Sequence, residues 1–474
     1  MKRWNVIIVL IDALRADALG CYGCRYKPSP NIDKIAEEGV LFKNAFSCAE
    51  CTIPSLTSIF SGRYPRTHGI VRLHPTSEEI SILNSLKIKF LPEILKSVGY
   101  TTLALDWVGR WLKCGYDFYY GIPTSKIVNS SIFKKALQIV SYFPTPIYYA
   151  IRAIWRKIYP HVLNVSSTEN AKTFTNLAID LIKKNINNQF FLFIHYWDTH
   201  IPYNAPDNFI RPVNEGKDLR IKDILRKIKH PNVKAKIRSF SKEVKTADKI
   251  IARYYSAIRY VDSEIKKLMD SLENMGIIDN TLIVITSDHG ESLIEHEIYF
   301  SHHGLYDEVI HVPLIFKGPG IPEGVEINSL VQHVDITPTI LDILGIKYSG
   351  FDMDGKSLIP LMYGDVKKIR SEIYAEEATV ERKMCIRTLD YKYILSPSRE
   401  DAVCKICSRV HGDLEELYDI CEDPLETNNI INLQPEVARY LKRKLFIWMR
   451  SMNQQREKKI IKEKIKKMKI KKVV

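Results

Sequence analysis

The sequence predicts an α/β protein: a central, mostly parallel sheet covered on both faces, with a small C-terminal antiparallel sheet and helix attached. Three observations carry this. Apolar runs at residues 6–11 and 190–194, and a threonine-flanked one at 281–286, are too short for helices and lack the alternation of a half-exposed strand, so they read as strands buried on both faces. Helix-like segments fall between the strand-like ones, as parallel crossovers require. After about residue 366 short strand-like pieces follow one another directly, which points to antiparallel pairing.

The elements justify themselves in order. The first strand ends at Asp12. Ser29-Pro-Asn-Ile-Asp-Lys-Ile-Ala-Glu-Glu-Gly39 reads as a short helix with a glycine stop, and residues 40–46 as a second strand. Residues 54–60 read as a helix with Pro54 in its first turn and Gly62 at its end. Residues 91–99 give another helix and residues 100–105 another strand. Residues 128–165 break the rhythm, being aromatic, basic and apolar together and interrupted by Pro144 and Pro146. They read as a packed cap or, alternatively, as an interfacial amphipathic element touching lipid. Residues 206–250 are charged and read as a helical surface insertion. This divides the chain into a catalytic α/β domain over 1–366, a C-terminal subdomain over 367–450 closed by a helix at 437–449, and a lysine-rich tail over 451–474, read as a frayed helix or a disordered end.

Composition sets the class. Hydrophobic residues make up 45 % and charged residues 26 % of the 474, an ordinary globular balance. The formal net charge is +14, but about half of the excess lies in the last twenty residues, so a nucleic-acid partner is not expected. Mild basicity elsewhere suits an anionic substrate or peripheral contact with an anionic membrane. The opening apolar run of about seven residues is too short for a membrane span or for most signal peptides, so the expected location is cytoplasmic, with peripheral contact at the inner membrane face as an extension.

Four polar residues fall where a parallel sheet places its site, beyond the carboxyl ends of the strands. Asp12 ends the first strand, Asp288 and His289 follow another, and Thr52 sits just before a helix. Two carboxylates, an imidazole and a hydroxyl can hold a divalent cation. Manganese, zinc, magnesium and calcium are candidates, and the imidazole favours manganese or zinc. A hydroxyl beside such a cation deprotonates more readily and becomes a nucleophile. A helix amino terminus beside it stabilises an anionic ester.

The surrounding words are more specific than any single residue. Asn5-Val-Ile-Ile-Val-Leu-Ile-Asp-Ala-Leu-Arg-Ala-Asp17, Gly20-Cys-Tyr-Gly23, Ser61-Gly-Arg-Tyr-Pro-Arg-Thr-His-Gly69, Asp198-Thr-His-Ile-Pro-Tyr203, Ser287-Asp-His-Gly-Glu291 and Glu416-Leu-Tyr-Asp-Ile-Cys-Glu-Asp-Pro-Leu-Glu426 occur in that order. With them the chain resembles, over nearly its whole length, the sulfatase family of the alkaline phosphatase superfamily. The resemblance implies an alkaline-phosphatase-like sandwich, metal ligation by Asp12, Thr52, Asp288 and His289, and nucleophilic attack by Thr52. It implies that His200 contacts the ester and that His302 or His303 stands near the leaving group. His195, Asp198 and Arg110 are further substrate-binding candidates, the plainer reading of His195 being a satisfied histidine at a strand end.

The chain departs from the family at two places. Sulfatases in the strict sense carry Cys-x-Pro-x-Arg, or the serine version, whose first residue becomes formylglycine. Anchored on Pro54, those slots hold Thr52 and Leu56, and threonine cannot give formylglycine. Where the family often has two adjacent aspartates, this chain has Asp12 and Ala13. The combination resembles the phosphodiesterase, phosphonate hydrolase and lipid-headgroup phosphotransferase branches, in which threonine forms a covalent intermediate that water or an acceptor alcohol resolves. It therefore implies an enzyme acting on a phosphate ester, with a sulfate ester as the alternative and a non-catalytic metal-binding or scaffold protein as the third reading.

Nine cysteines include three Cys-x-x-Cys pairs. Cys404 and Cys407, with His411 and Cys421, have spacing suited to a structural zinc. Cys21/Cys24 and Cys48/Cys51 can share a metal, form disulfides, or pack as free thiols.

Overall fold

The computed structural model describes residues 4–121, 170–213, 219–242, 244–348 and 350–471. The aromatic and basic segment at 128–165, with its two readings as cap or lipid contact, lies outside them. No helix among the described residues is long and apolar enough to cross a membrane.

An eight-stranded sheet runs in the order β4-β3-β5-β1-β6-β7-β2-β8. Its strands are β1 (Asn5–Ile11), β2 (Val40–Phe46), β3 (Thr101–Leu105), β4 (Phe118–Tyr120), β5 (Phe190–Tyr196), β6 (Thr281–Thr286), β7 (Leu314–Lys317) and β8 (Val325–Gln332). Pairing is parallel except at β7, which runs against both β6 and β2.

β1 shows why the apolar runs are continuous. Ile7, Val9 and Ile11 join one buried cluster, with side chains from the helices Ala171–Lys184 and Ala247–Asn274. Val6, Ile8 and Leu10 join the other, with the helices Thr52–Ser61, Leu91–Ser97 and Ile336–Ile343. Successive side chains of a strand point to opposite faces, so a sheet covered on both faces needs apolar residues at every position.

A second sheet, in the order β12-β11-β10-β9, is wholly antiparallel. It contains β9 (Ile373–Glu377), β10 (Lys383–Arg387), β11 (Tyr391–Leu395) and β12 (Glu415–Asp419). The closing helix is longer than its apolar pattern predicts and spans Pro435–Lys471. Ala438, Leu441, Leu445 and Trp448 anchor it, Trp448 stacking on Tyr374 at 4.4 Å between ring centroids. Beyond them polar contacts take over: Gln455 donates to Asp354 at 2.7 Å, Arg456 to the Arg66 carbonyl at 3.1 Å, and Lys459 pairs with Asp352 at 2.5 Å. The basic segment expected to fray or be disordered is thus helical through Lys471, because its first turns have fixed partners on the catalytic domain. The charged insertion does form helices, at Ile221–Lys227 and Pro231–Phe240, which bury Ile221, Ile224 and Ile237.

Candidate active site

Strand register brings the site together. Leu10 lies beside both His195 of β5 and Thr286 of β6, so the chain leaves the sheet at one level on all three strands. Asp12, Asp288 and His289 follow directly.

Asp12 is anchored through its backbone: its N–H donates to the Tyr196 carbonyl at 2.9 Å, and its carbonyl accepts from the Thr199 hydroxyl at 2.5 Å. Asp288 Oδ1 accepts from the backbone N–H groups of Ala13 at 3.2 Å and His289 at 3.0 Å. Ala13 adopts a left-handed backbone, φ 55°, to present that N–H. Both oxygens of Asp12 and Oδ2 of Asp288 are buried without a hydrogen-bond partner. His289 Nδ1 donates to the Gly290 carbonyl at 2.7 Å, which leaves Nε2 as its lone-pair nitrogen. That Nε2 lies 3.3 Å from Asp288 Oδ2, 3.8 Å from Asp12 Oδ1 and 3.4 Å from Thr52 Oγ1.

The residues fit a divalent cation. One ligand atom each from Asp12, Asp288 and His289 lies within 4.8 Å of the others. Orphaned carboxylate oxygens in a fully buried site are costly, and a cation removes that cost. The electrostatics agree. Burial alone raises carboxyl pKa values, yet His200, His195 and His289 around Asp12 hold it down at about 2. Asp288 is pushed up by burial and by the neighbouring Asp12 charge. Two carboxylates sharing one dry site resist joint ionisation unless a positive charge joins them.

Thr52 is not ahead of its helix but in the first turn of Thr52–Ser61, with Cys51 as N-cap, whose side chain makes no capping bond. The positive end of the helix dipole therefore meets the Thr52 hydroxyl directly. His302 stacks on His289 with centroids 4.2 Å apart, and its Nδ1 donates to the Glu50 carbonyl at 2.8 Å. His200 stands 6.0 Å from His302 and donates from Nδ1 to the Ile201 carbonyl at 3.0 Å. Burial lowers both imidazoles, His200 to about 4.

His195 proves to be an inner residue of this group. Its Nε2 lies 3.4 Å from Asp12 Oδ2, and its Nδ1 2.7 Å from Asp106 Oδ1. Burial opposes its charge, but the two carboxylates raise it to about 10. Asp106, immediately after β3, was not among the sequence candidates, although the signal that singled out Asp12, an aspartate ending an apolar strand, was present. Glu291 and Lys236 were missed as well. Glu291 is buried, accepts from Tyr203 Oη at 2.6 Å, and is raised to about 7 by burial. Lys236 belongs to the insertion helix Pro231–Phe240. Much of its side chain is exposed, yet burial lowers its pKa, and its charge is felt by Glu291 and Asp12. No pattern distinguishes it from its many lysine neighbours.

Several candidates lie elsewhere. Asp198 turns away toward the start of the helix Ala171–Lys184, where burial raises it to about 7. Arg110 is exposed, in the turn Arg110–Lys113 that follows β3. His303 points away from His302, into a cluster with Glu381, Cys404 and His411. Cys421 is exposed, 3.8 Å from Asp390, and has no part in that cluster. All nine cysteines are free, so the disulfide reading of Cys21/Cys24 and Cys48/Cys51 fails, and none of those four joins a metal-competent group among the described residues.

A buried metal-competent triad, a hydroxyl at a helix amino terminus and a ring of histidines define an ester-processing enzyme site. The chain belongs to the sulfatase family: the Sulfatase family model matches residues 4–346, and the model of the N-sulphoglucosamine sulphohydrolase C-terminal region matches residues 295–455. It is a sulfatase-like hydrolase of the alkaline phosphatase superfamily. Iduronate 2-sulfatase of Homo sapiens is 25 % identical over 522 aligned positions, covering 90 % of this chain and 91 % of that protein. A solved structure of a protein in complex with its substrate D-glucosamine-2-N,6-O-disulfate has a TM-score of 0.66 at 21 % identity, covering 96 % of this chain and 99 % of that one. The phosphonate monoester hydrolase of Agrobacterium radiobacter has a TM-score of 0.65 at 18 % identity, covering 95 % and 96 %.

Proposed function

We propose that this chain hydrolyses sulfate esters, using Thr52 as an unmodified nucleophile. Named relatives that match most of its length support sulfate over the phosphate ester that the sequence first suggests. The observation that carries the site is the Thr52 hydroxyl 3.4 Å from His289 Nε2, beside the unpartnered oxygens of Asp12 and Asp288. A divalent cation held by Asp12, Asp288 and His289 would neutralise the ester oxyanion and acidify the Thr52 hydroxyl.

The chain's own groups supply the rest. The amino terminus of the helix Thr52–Ser61 and Lys236 attract the anionic ester. His200 and His302 keep Nδ1 on backbone carbonyls, which leaves Nε2 of either to accept a hydrogen bond or a proton at the ester. Thr52 Oγ1 bonds to the central atom of the ester, and the alcohol departs with a proton passed on by an imidazole. Water then attacks the central atom of the threonine ester, releasing sulfate and a proton and returning the Thr52 hydroxyl.

One observation favours a second reading. Thr52 and Leu56 replace the residues that formylglycine formation needs, and the fold is shared with phosphonate monoester hydrolases. A phosphate or phosphonate ester fits an unmodified threonine equally well. Aryl sulfate and aryl phosphodiester turnover, compared on one metal-loaded preparation, separates the two. Faster sulfate turnover supports the first reading, and faster diester turnover moves the assignment to the second. Full activity of Thr52→Ala on both would overturn the nucleophile assignment.

A further inference from the structure

We propose that His303, Glu381, Cys404 and His411 bind a structural zinc ion, separate from the catalytic site. One ligand atom from each lies within 4.8 Å of the others, and all four residues are buried. Cys404 Sγ is 3.6 Å from His303 Nε2. Cys407 Sγ is 3.2 Å from His411 Nε2, a fifth donor at the edge of the group.

Three features point to a ligand rather than to ordinary packing. Each imidazole is held at Nδ1 from outside the cluster: His411 by the His296 carbonyl at 3.0 Å, His303 by the Ser301 hydroxyl at 2.9 Å. This leaves Nε2 facing inward on both, the arrangement by which outer partners orient metal-ligating histidines. Both Glu381 oxygens are buried without a hydrogen-bond partner, Lys383 standing 3.1 Å from Oε2 as an ion-pair neighbour outside hydrogen-bonding geometry. The backbone N–H of Ile406 donates to Cys404 Sγ at 3.3 Å, which holds the sulfur in place facing His303 Nε2. Imidazole, thiolate and carboxylate in a closed four-donor group select zinc.

The position gives the ion work to do. His302 and His303 are adjacent in sequence but serve opposite sides, His302 stacking on His289 while His303 faces Cys404. The Ile406 carbonyl accepts from the backbone N–H groups of Lys229 and His230, just before the helix that carries Lys236. Zinc here would tie the C-terminal subdomain to the strap carrying His302 and to the insertion carrying Lys236.

The test is metal content, not activity. Full-length protein produced with zinc supplementation is analysed by mass spectrometry for bound metal, beside C404S, H411A and D288N. The wild type and D288N should both carry a tightly held zinc that C404S and H411A lack. Equal zinc in the wild type and C404S overturns the proposal. Because either variant can misfold, cobalt(II) loaded into the wild type gives an independent reading. Intense tetrahedral visible bands with thiolate-to-cobalt charge transfer support the site, and a weak spectrum without charge transfer sinks it.

Discussion

His195 Nδ1 lies 2.7 Å from Asp106 Oδ1, deep at the carboxyl edge of the sheet. The contact fixes the ring so that Nε2 faces Asp12 at 3.4 Å. Asp106 thus acts on the metal-competent triad through an intermediate. Asp106→Asn should lower metal affinity or kcat roughly 10–100-fold, the usual effect of losing an outer-shell partner. Metal titration and steady-state kinetics measure this, and unchanged values for both would reduce the pair to packing.

Thr52→Ala should lower turnover by roughly a thousandfold or more, as for removal of other covalent nucleophiles. Thr52→Ser keeps the hydroxyl at the same helix terminus and should retain most of it. An Ala variant as active as the Ser variant would point to direct attack by water.

Cation binding should stabilise the fold, because the unpartnered oxygens of Asp12 and Asp288 are buried. At a cation concentration a hundred times Kd, the gain is about 2.7 kcal/mol. Chelation should abolish turnover and lower Tm, and re-addition of the divalent ion should restore both. In Asp288→Asn, Tm should respond less to the catalytic ion, which differential scanning calorimetry across a cation series would detect.

Lys392 is wholly buried, with Nζ 2.6 Å from Asp307, 2.7 Å from Glu426 and 2.9 Å from the Leu305 carbonyl. Removing the ammonium leaves the buried Asp307 and Glu426 carboxyls without the cation they share, so Lys392→Ala should cost roughly 3–5 kcal/mol in chemical denaturation. Lys392→Met combined with Glu426→Leu should recover part of that loss, since apolar replacement of a whole buried pair is often near neutral.

Burial raises the Asp198 carboxyl from an ordinary 3.8 to about 7. Between those values the folded state binds the proton more tightly than the unfolded chain, so the contribution is full below about pH 4 and lost as pH rises toward 7. Asp198→Asn should remove this fall. Urea denaturation of both proteins across that range tests it, and parallel pH profiles would show that Asp198 is not the group responsible.

The sequence by itself determined the layered fold, because a strand buried on both faces must carry apolar residues toward both, as at 6–11, 190–194 and 282–285. It also put Asp12, Asp288 and His289 at strand ends and Thr52 at a helix start, places that are local facts and that the fold brings together. It could not expose β7, only four residues long, or the continuation of the closing helix past residue 449, which depends on Arg66, Asp352 and Asp354 far away in the chain. Nor could it separate His302 from His303, since adjacent residues in a loop part according to what packs on either side. Tertiary structure alone decided that Asp106 and Glu291 are buried beside the site, that Asp198 turns away from it, and that Cys421 stands apart from the second cluster. The reason is physical: orientation, burial and unpaired carboxylates arise from non-local packing, whereas strand and helix patterns are written within a few residues of themselves.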